Sequence, residues 1–397
     1  MATIDKSLPN TDPNALEEEI DIEQVKEAEI IDTPSGPVEI EMDEVGGAEV
    51  SFDPDAQEIP EEMGHFDNIA EILEDKIADP LASELMGKYR DYKQSRQEWA
   101  DSYREGLNLL GFKYVSRTEP FRGASSVTHP VLAEAVTQFQ AQAYKELLPA
   151  DGPVRSQILG ASTIPKEDQA KRVKDFMNYQ IMDQMKEYEP EFDQMLFYLP
   201  LSGSTFKKVY YDDLLGRAVS KFIPAEDLVV PYSATSLEDA EAVIHVIRIS
   251  QNDLRKQQVN GFYKDIDLGD PPVIEDQLKE KEKEIEGIQM NGNEDMYTIL
   301  EMHVNLDLDG FEDVNPEDGE PTGVKLPYIV TLDEANGKVL SIRRNFKAED
   351  PLKKKQDYFV HFKFLPGLGF YGLGLIHMIG GLSRTATIAL RQLLDAG

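Results

Sequence analysis

The chain contains no cysteine, which excludes disulfides, thiolate nucleophiles and zinc sites built on thiolates. Long apolar runs are missing too, and none approaches the roughly 18–20 residues of a membrane span. The N-terminus, MATIDKSLPNTDPNALEEEID, lacks the basic and apolar regions of a secretory signal, so no membrane partner is expected. Positive charge is scarce. The 40 Lys and Arg stand against 75 Asp and Glu, a formal net charge of −35, which argues against a surface that grips nucleic-acid phosphate by counterion release. The histidines at 65, 129, 245, 303, 361 and 377 show no HExxH and no paired metal spacing, and there is no G-x-S-x-G elbow or P-loop. So many acidic residues produce paired carboxylates by chance. No catalytic residue, metal ligand or cofactor is nominated.

What is present is enough hydrophobic sequence, 41% of 397 residues, to build the cores of two or three domains. Residues 1–60 carry 18 Asp or Glu against Lys6 and Lys26, so −16 of the charge belongs there and −19 to the remaining 337 residues. With TPSGP at 33–37 and no sustained period, residues 1–62 read as a disordered acidic arm. An acidic body is compatible with a conduit along which DNA slides without sticking, and equally with an ordinary acidic globular protein.

From Asn68 to Tyr103 the pattern is helical, with Trp99 and Tyr103 anchoring its end. The loop FRGASSVTHP at 121–130 offers Thr128 or His129 as N-cap and Pro130 in the first turn. The helix after it places Leu132, Val136, Phe139, Ala143 and Leu147 on one face. Pro149 and Asp151-Gly152 stop it, and Val154, Ser156 and Ile158 alternate as a short strand would. Pro165 opens a long helix, apolar along Ala170, Val173, Phe176 and Met177, that Pro190 ends; another helix runs through Phe192 and Leu199 to Gly203. The period then switches, and 206–211 and 218–223 read as a β-hairpin. Segments 227–231, 242–248, 296–304, 328–332, 338–342 and 358–364 are further strands, His245, His303 and His361 being core or sheet-face residues within them. Ser250 caps a short helix closed by Asn260-Gly261. Residues 271–287 read as a solvated charged helix or linker, and 374–395 as a final amphipathic helix. The class is α+β, with helical and strand blocks segregated.

Two motifs mimic sites. Gly367-Leu-Gly369-Phe-Tyr-Gly372 is a formal G-x-G-x-x-G with Asp395 downstream, as in an NAD(P)-dependent oxidoreductase, but Pro366 precedes it, two aromatics fill its spacer, and no second parallel strand follows. The acidic loop from Asp307 to Asp318 departs from the EF-hand order and reads as solvated. The basic groups at 171–174, 207–208 and 353–355 are scattered and form no stripe. Arg384 and Arg391, seven apart on the last helix, are the candidates for contact with DNA in a channel or with a neighbouring subunit.

The wording of several blocks, FRGASSVTHPVLAEAVTQFQAQAYKELLPADGPV, LSGSTFKKVYYDD, IPAEDLVVPY, SQNDLRKQQVNGFY and LPGLGFYGLGLIHMIGGLSRTATIALRQLLDAG, resembles the portal proteins of tailed bacteriophages, in the P22- and SU10-like branch of short-tailed phages. The resemblance runs from about Glu119 to Gly397. It implies an α+β wing over 63–366, then a structural turn at Gly367, Gly369, Gly372 and Gly374 leading into the start of a stem helix at 367–397. Clip and crown would lie beyond Gly397, so a fragment of a longer protein is expected. The family implies a non-enzymatic ring, dodecameric in the virion, at the head-tail vertex, assembled in the host cytoplasm. Double-stranded DNA passes through its channel. Its partners are the large terminase, which hydrolyses ATP, head-completion or tail-adaptor proteins, and capsid and scaffold proteins. Another phage head or neck structural protein is a further alternative.

Overall fold

The structure, a computed structural model, describes residues 29–33, 36–42, 48–51, 64–112, 121–212, 215–271, 277–286, 296–315, 320–367 and 369–397. It divides into two units, Met1–Glu58 and Ile59–Gly397. Within the first, expected as a disordered arm, β1 (Glu29–Thr33), β2 (Gly36–Met42) and β3 (Ala48–Ser51) pair antiparallel in that order. The alternation of Val38, Ile40 and Met42 with Glu39 and Glu41 is the period-2 signal that bulk acidity conceals. The rest of residues 1–63 lies outside the described residues.

The second unit is α+β, as expected, with every strand pairing antiparallel. Its centre is a five-stranded sheet in the order β10-β9-β8-β7-β6, made of β6 (Leu228–Val229), β7 (Ala242–Ser250), β8 (Met296–Leu306), β9 (Leu326–Asp333) and β10 (Val339–Arg344). Alternation sorts its side chains. Ile244, Leu300, Met302, Tyr328, Val330 and Leu332 turn to one face, where α1 (Asp75–Ser95) covers them with Ala78, Ala82, Leu85, Met86 and Tyr89 at helical spacing. The single helix expected over 68–103 is broken in two places. Asn68 caps a short 3-10 turn at Ile69–Glu71 and ties it to β10 through Leu340 O and Ile342 N; Arg96 separates α1 from α2 (Gln97–Leu107).

The opposite face of this sheet meets a second sheet in the order β11-β4-β5, comprising β4 (Ser204–Asp212), β5 (Arg217–Pro224) and β11 (Phe359–Lys363). Their shared layer is partly ionic. Lys208 on β4 donates to both carboxylate oxygens of Glu301 on β8 at 2.5 and 2.6 Å, and His303 Nε2 lies 2.9 Å from Glu301 Oε1. Burial opposes ionisation of Glu301, but the Lys208 ammonium and the His303 contact hold its carboxyl well below the usual range. Desolvation keeps His303 below its ordinary value and His245 down to about 3. The far face of the second sheet packs on α5 (Tyr188–Ser202), with Lys207 Nζ 4.0 Å from the Tyr188 ring centre and 5.0 Å from that of Phe192. α3 (Val131–Leu147) and α8 (Leu375–Ala396) complete this helical side.

Four local expectations are corrected. Residues 154–158 form no strand; instead Asn178 offers its amide as a substitute neighbour, accepting from Val154 N at 2.9 Å and donating to Val154 O at 3.2 Å. α3 begins at Val131 with Pro130 at the cap position, and neither Thr128 nor His129 caps it. Pro190 ends nothing: α4 (Ile164–Tyr179) runs into a π-helical turn at Gln180–Gln184, and Pro190 sits in the first turn of α5, where its missing N–H leaves no bond unmade. α7 (Gln277–Glu286) is not merely solvated, because Lys279 and Glu282 are largely buried. The hairpin β4–β5, the cap at Ser250 on α6 (Gln251–Val259), and the strand set β7 to β11 agree with the sequence patterns.

Candidate functional site

The three most distinctive sequence blocks, around 121–153, 201–212 and 365–397, meet at one place. α5 ends at Gly203, whose φ of +90° suits only glycine. A Cβ built there would lie 2.4 Å from Gly374 N and 2.5 Å from Gly372 O. The requirement is mutual: a Cβ on Gly372 would sit 2.4 Å from Gly203 O, and one on Gly374 would sit 2.3 Å from Leu201 O. Two backbones therefore cross with no side chain between them. Ser204 Oγ accepts from Gly372 N at 2.7 Å and lies 3.1 Å from His361 Nε2, while Leu373 N donates to Leu365 O at 2.8 Å.

The other glycines of the turn differ. A Cβ on Gly367 would lie 3.0 Å from Tyr371 O, whereas nothing stands within 4 Å of one on Gly369. The fingerprint is thus divided between close packing and an open, exposed position, and its strand β11 pairs antiparallel with β4. A dinucleotide loop needs a parallel β-α-β unit. Ser204 and Arg96 are junction residues that the sequence patterns do not single out, while Gly203 is marked only as a helix stop and His361 only as a core or sheet-face residue. Arg96 Nη1 donates to Ala225 O, Leu228 O and Tyr371 Oη at 2.8, 2.9 and 3.0 Å. Trp99 stacks on Tyr371 with ring centres 4.9 Å apart. The helical pattern, continuous over 68–103, gives no hint of Arg96, which the structure places between α1 and α2.

From this junction α8 departs with Ile376, Gly380, Ser383 and Thr387 buried along one stripe. Ile376 enters the core of Tyr103, Leu107, Leu132 and Val136. The loop at 121–130 then lies along the helix: His129 N donates to Thr387 Oγ1 at 3.0 Å, Ser125 N to Asp395 Oδ1 at 2.6 Å, and Arg391 Nε to Val127 O at 2.7 Å. Arg391, a candidate for contact in a channel or between subunits, bonds to Val127 O, Ser126 O and Thr128 Oγ1 of its own chain. Arg384 is exposed. Asp395 acts as a clasp for the loop through Ser125 N. A second stripe of α8, Met378, Leu382 and Leu393, is exposed by 53, 69 and 72%, so the helix is apolar on two sides with one of them bare.

A second polar cluster joins α7 to the turn before β6. Lys279 Nζ lies 3.2 Å from Glu226 Oε1, 3.1 Å from Asp227 Oδ2 and 3.7 Å from Glu282 Oε2. Glu226 Oε2 and Glu282 Oε1 are buried without a donor, and the two carboxyls are within hydrogen-bonding reach of each other, so a shared proton would satisfy both. Desolvation first, and repulsion from Glu226 second, push the Glu282 carboxyl far above its usual range. Lys279 is held above its own despite burial, by the three carboxylates.

Among the described residues there is no cluster of three or more His, Asp and Glu suited to a metal. In the acidic loop Asp313 pairs with Lys353 and Thr322, while Glu317 and Asp318 lie outside the described residues. No described helix is long and apolar enough to cross a membrane. The chain matches no protein-family model and no curated protein.

Proposed function

We propose that this chain is a subunit of a bacteriophage portal ring, the DNA conduit at the head-tail vertex used for genome packaging, retention and ejection. One observation carries the reading. Three of the sequence blocks that resemble portal proteins, with contacting residues up to 270 positions apart, meet at the Gly203–Gly372–Gly374 crossing and at the loop clasped to α8. In this reading the crossing sets the direction in which the stem helix leaves the wing, and the bare stripe of α8 is covered by neighbouring subunits. The ring is dodecameric, and DNA passes through it without sequence-specific contact, which suits a body as acidic as this one. The subunit does no catalysis. The large terminase supplies ATP hydrolysis, head-completion or tail-adaptor proteins dock later, and capsid and scaffold proteins meet the rim.

Negative-stain microscopy and mass photometry of the purified chain test this directly. Closed rings with a central channel are expected. A monomer at every concentration, together with saturable nicotinamide-dinucleotide binding lost in Gly369→Val, would replace the portal reading with an oxidoreductase.

A further inference from the structure

α4 is a 16-residue helix without a single buried residue. By helical periodicity Val173, Phe176 and Met177 form one stripe, and they are 48, 58 and 42% exposed. Lys166 falls on the same side and Arg172 at its edge, next to Phe176. All three carboxylates of the helix, Glu167, Asp168 and Asp175, fall on the opposite half, and Asn178 on the side that holds the 151–154 turn. In a chain with nearly twice as many acids as bases, an exposed apolar stripe flanked only by cations is unusual.

Its complement lies on the same molecule. Between α3 and α5 runs an open groove of about 480 Å³, floored by Ala141, Tyr144 and Pro190 and edged by Glu189, Asp193 and Gln140. Tyr144 Oη donates to Glu189, and Gln140 Nε2 to Asp193 Oδ1 at 2.8 Å, so the rim is set in place before anything docks. Two carboxylates and no cation line it. α4 of the same chain does not occupy it.

We infer that α4 of one copy docks in the α3–α5 groove of the next copy, its apolar stripe on Ala141, Tyr144 and Pro190 and its cations against Glu189 and Asp193. The occupant is another copy because the two surfaces carry opposite charge and each offers apolar side chains to the other, in the manner of an amphipathic helix in a groove. Two different patches meet, so the contact is head-to-tail, and such contacts close into rings when the rotation permits. The inference rests on the ring reading and assigns one of its subunit interfaces.

A cysteine-free background makes the test clean. Phe176→Cys with Ala141→Cys, oxidised mildly, should give a ladder of covalent multimers. Neither Phe176→Asp nor Ala141→Arg should assemble alone, each weakening association by about tenfold or more, while their mixture should give two-chain particles joined by the one intact interface. Circular dichroism should match the parent, since both positions are exposed. Rings that persist in both variants, with no ladder, would overturn the docking and leave the ring reading standing. A cross-link confined to one chain would also overturn it. A parent chain monomeric at all concentrations would remove the ring reading, and the docking with it.

Discussion

Two lysine-centred clusters are buried in this protein, and they are built to opposite rules. Lys208 between the sheets faces one carboxylate, Glu301, with His303 as a further partner. Lys279 on α7 faces three carboxylates, from Glu226, Asp227 and Glu282. In the first, charge is balanced, and burial strengthens the attraction. In the second the carboxylates outnumber the ammonium, and burial together with the neighbouring Glu226 pushes the Glu282 carboxyl up. The same ingredients thus make a fixed joint in one place and a titratable one in another.

Breaking the balanced cluster should have the largest effect. Glu301→Ala leaves Lys208 without its counter-charge and should lower global stability by about 3–5 kcal/mol, read as a fall in the urea midpoint. The crowded cluster should give less: Lys279→Met removes the ammonium that touches all three carboxylates and leaves Arg248 acting on Asp227, but α7 can undock, so a loss of about 1–3 kcal/mol, confined to α7 in hydrogen exchange, is expected.

The pH responses should run in opposite directions. Glu282 has a raised pKa in the folded state, so its contribution is full below the ordinary carboxylate value of about 4.3 and is lost as pH rises. Protection of α7 should therefore fall with rising pH, and Glu282→Gln should flatten that profile. Glu301, His245 and His303 have lowered pKa values when folded. Their contribution is present at higher pH and lost on acidification, starting near about pH 6.5 for the histidines. Urea midpoints measured from neutral to acid pH check this, and a midpoint that rises on acidification would contradict it. The smallest effect belongs to the bare face of α8: Leu382→Ser should change monomer stability by no more than about 0.5 kcal/mol while weakening self-association.

These contrasts also explain what the sequence could show. Strands β7 to β10 were legible because alternating apolar residues face α1 on one side of a sheet and turns punctuate them. α8 was legible from its period and Gly374. The charged α7 was not, since a KEKE pattern is the same whether a lysine is solvated or held by one carboxylate of its own helix and two folded in from elsewhere. The strand expected at 154–158 failed for a related reason: alternation records which faces differ, not whether a backbone neighbour exists, and here a side-chain amide takes the neighbour's place. The glycine fingerprint was visible as a string, but its meaning depended on Gly203, distant in sequence and without a motif of its own. Arg384 and Arg391 share a helical side by spacing, yet only the folded loop at 125–129 decides that one is occupied and the other exposed.

The crossing of Gly203 with Gly372 and Gly374 has a mechanical consequence. Side chains between two elements act as compliant spacers, because rotamers can shift to absorb a displacement. Here backbone bears on backbone, with Phe364 N bonded to Gly203 O beside the contact. A force along α8 is therefore delivered to α5 and β4 with almost no slack, and the outer helices and the β-layer follow the tilt of the terminal helix as one lever.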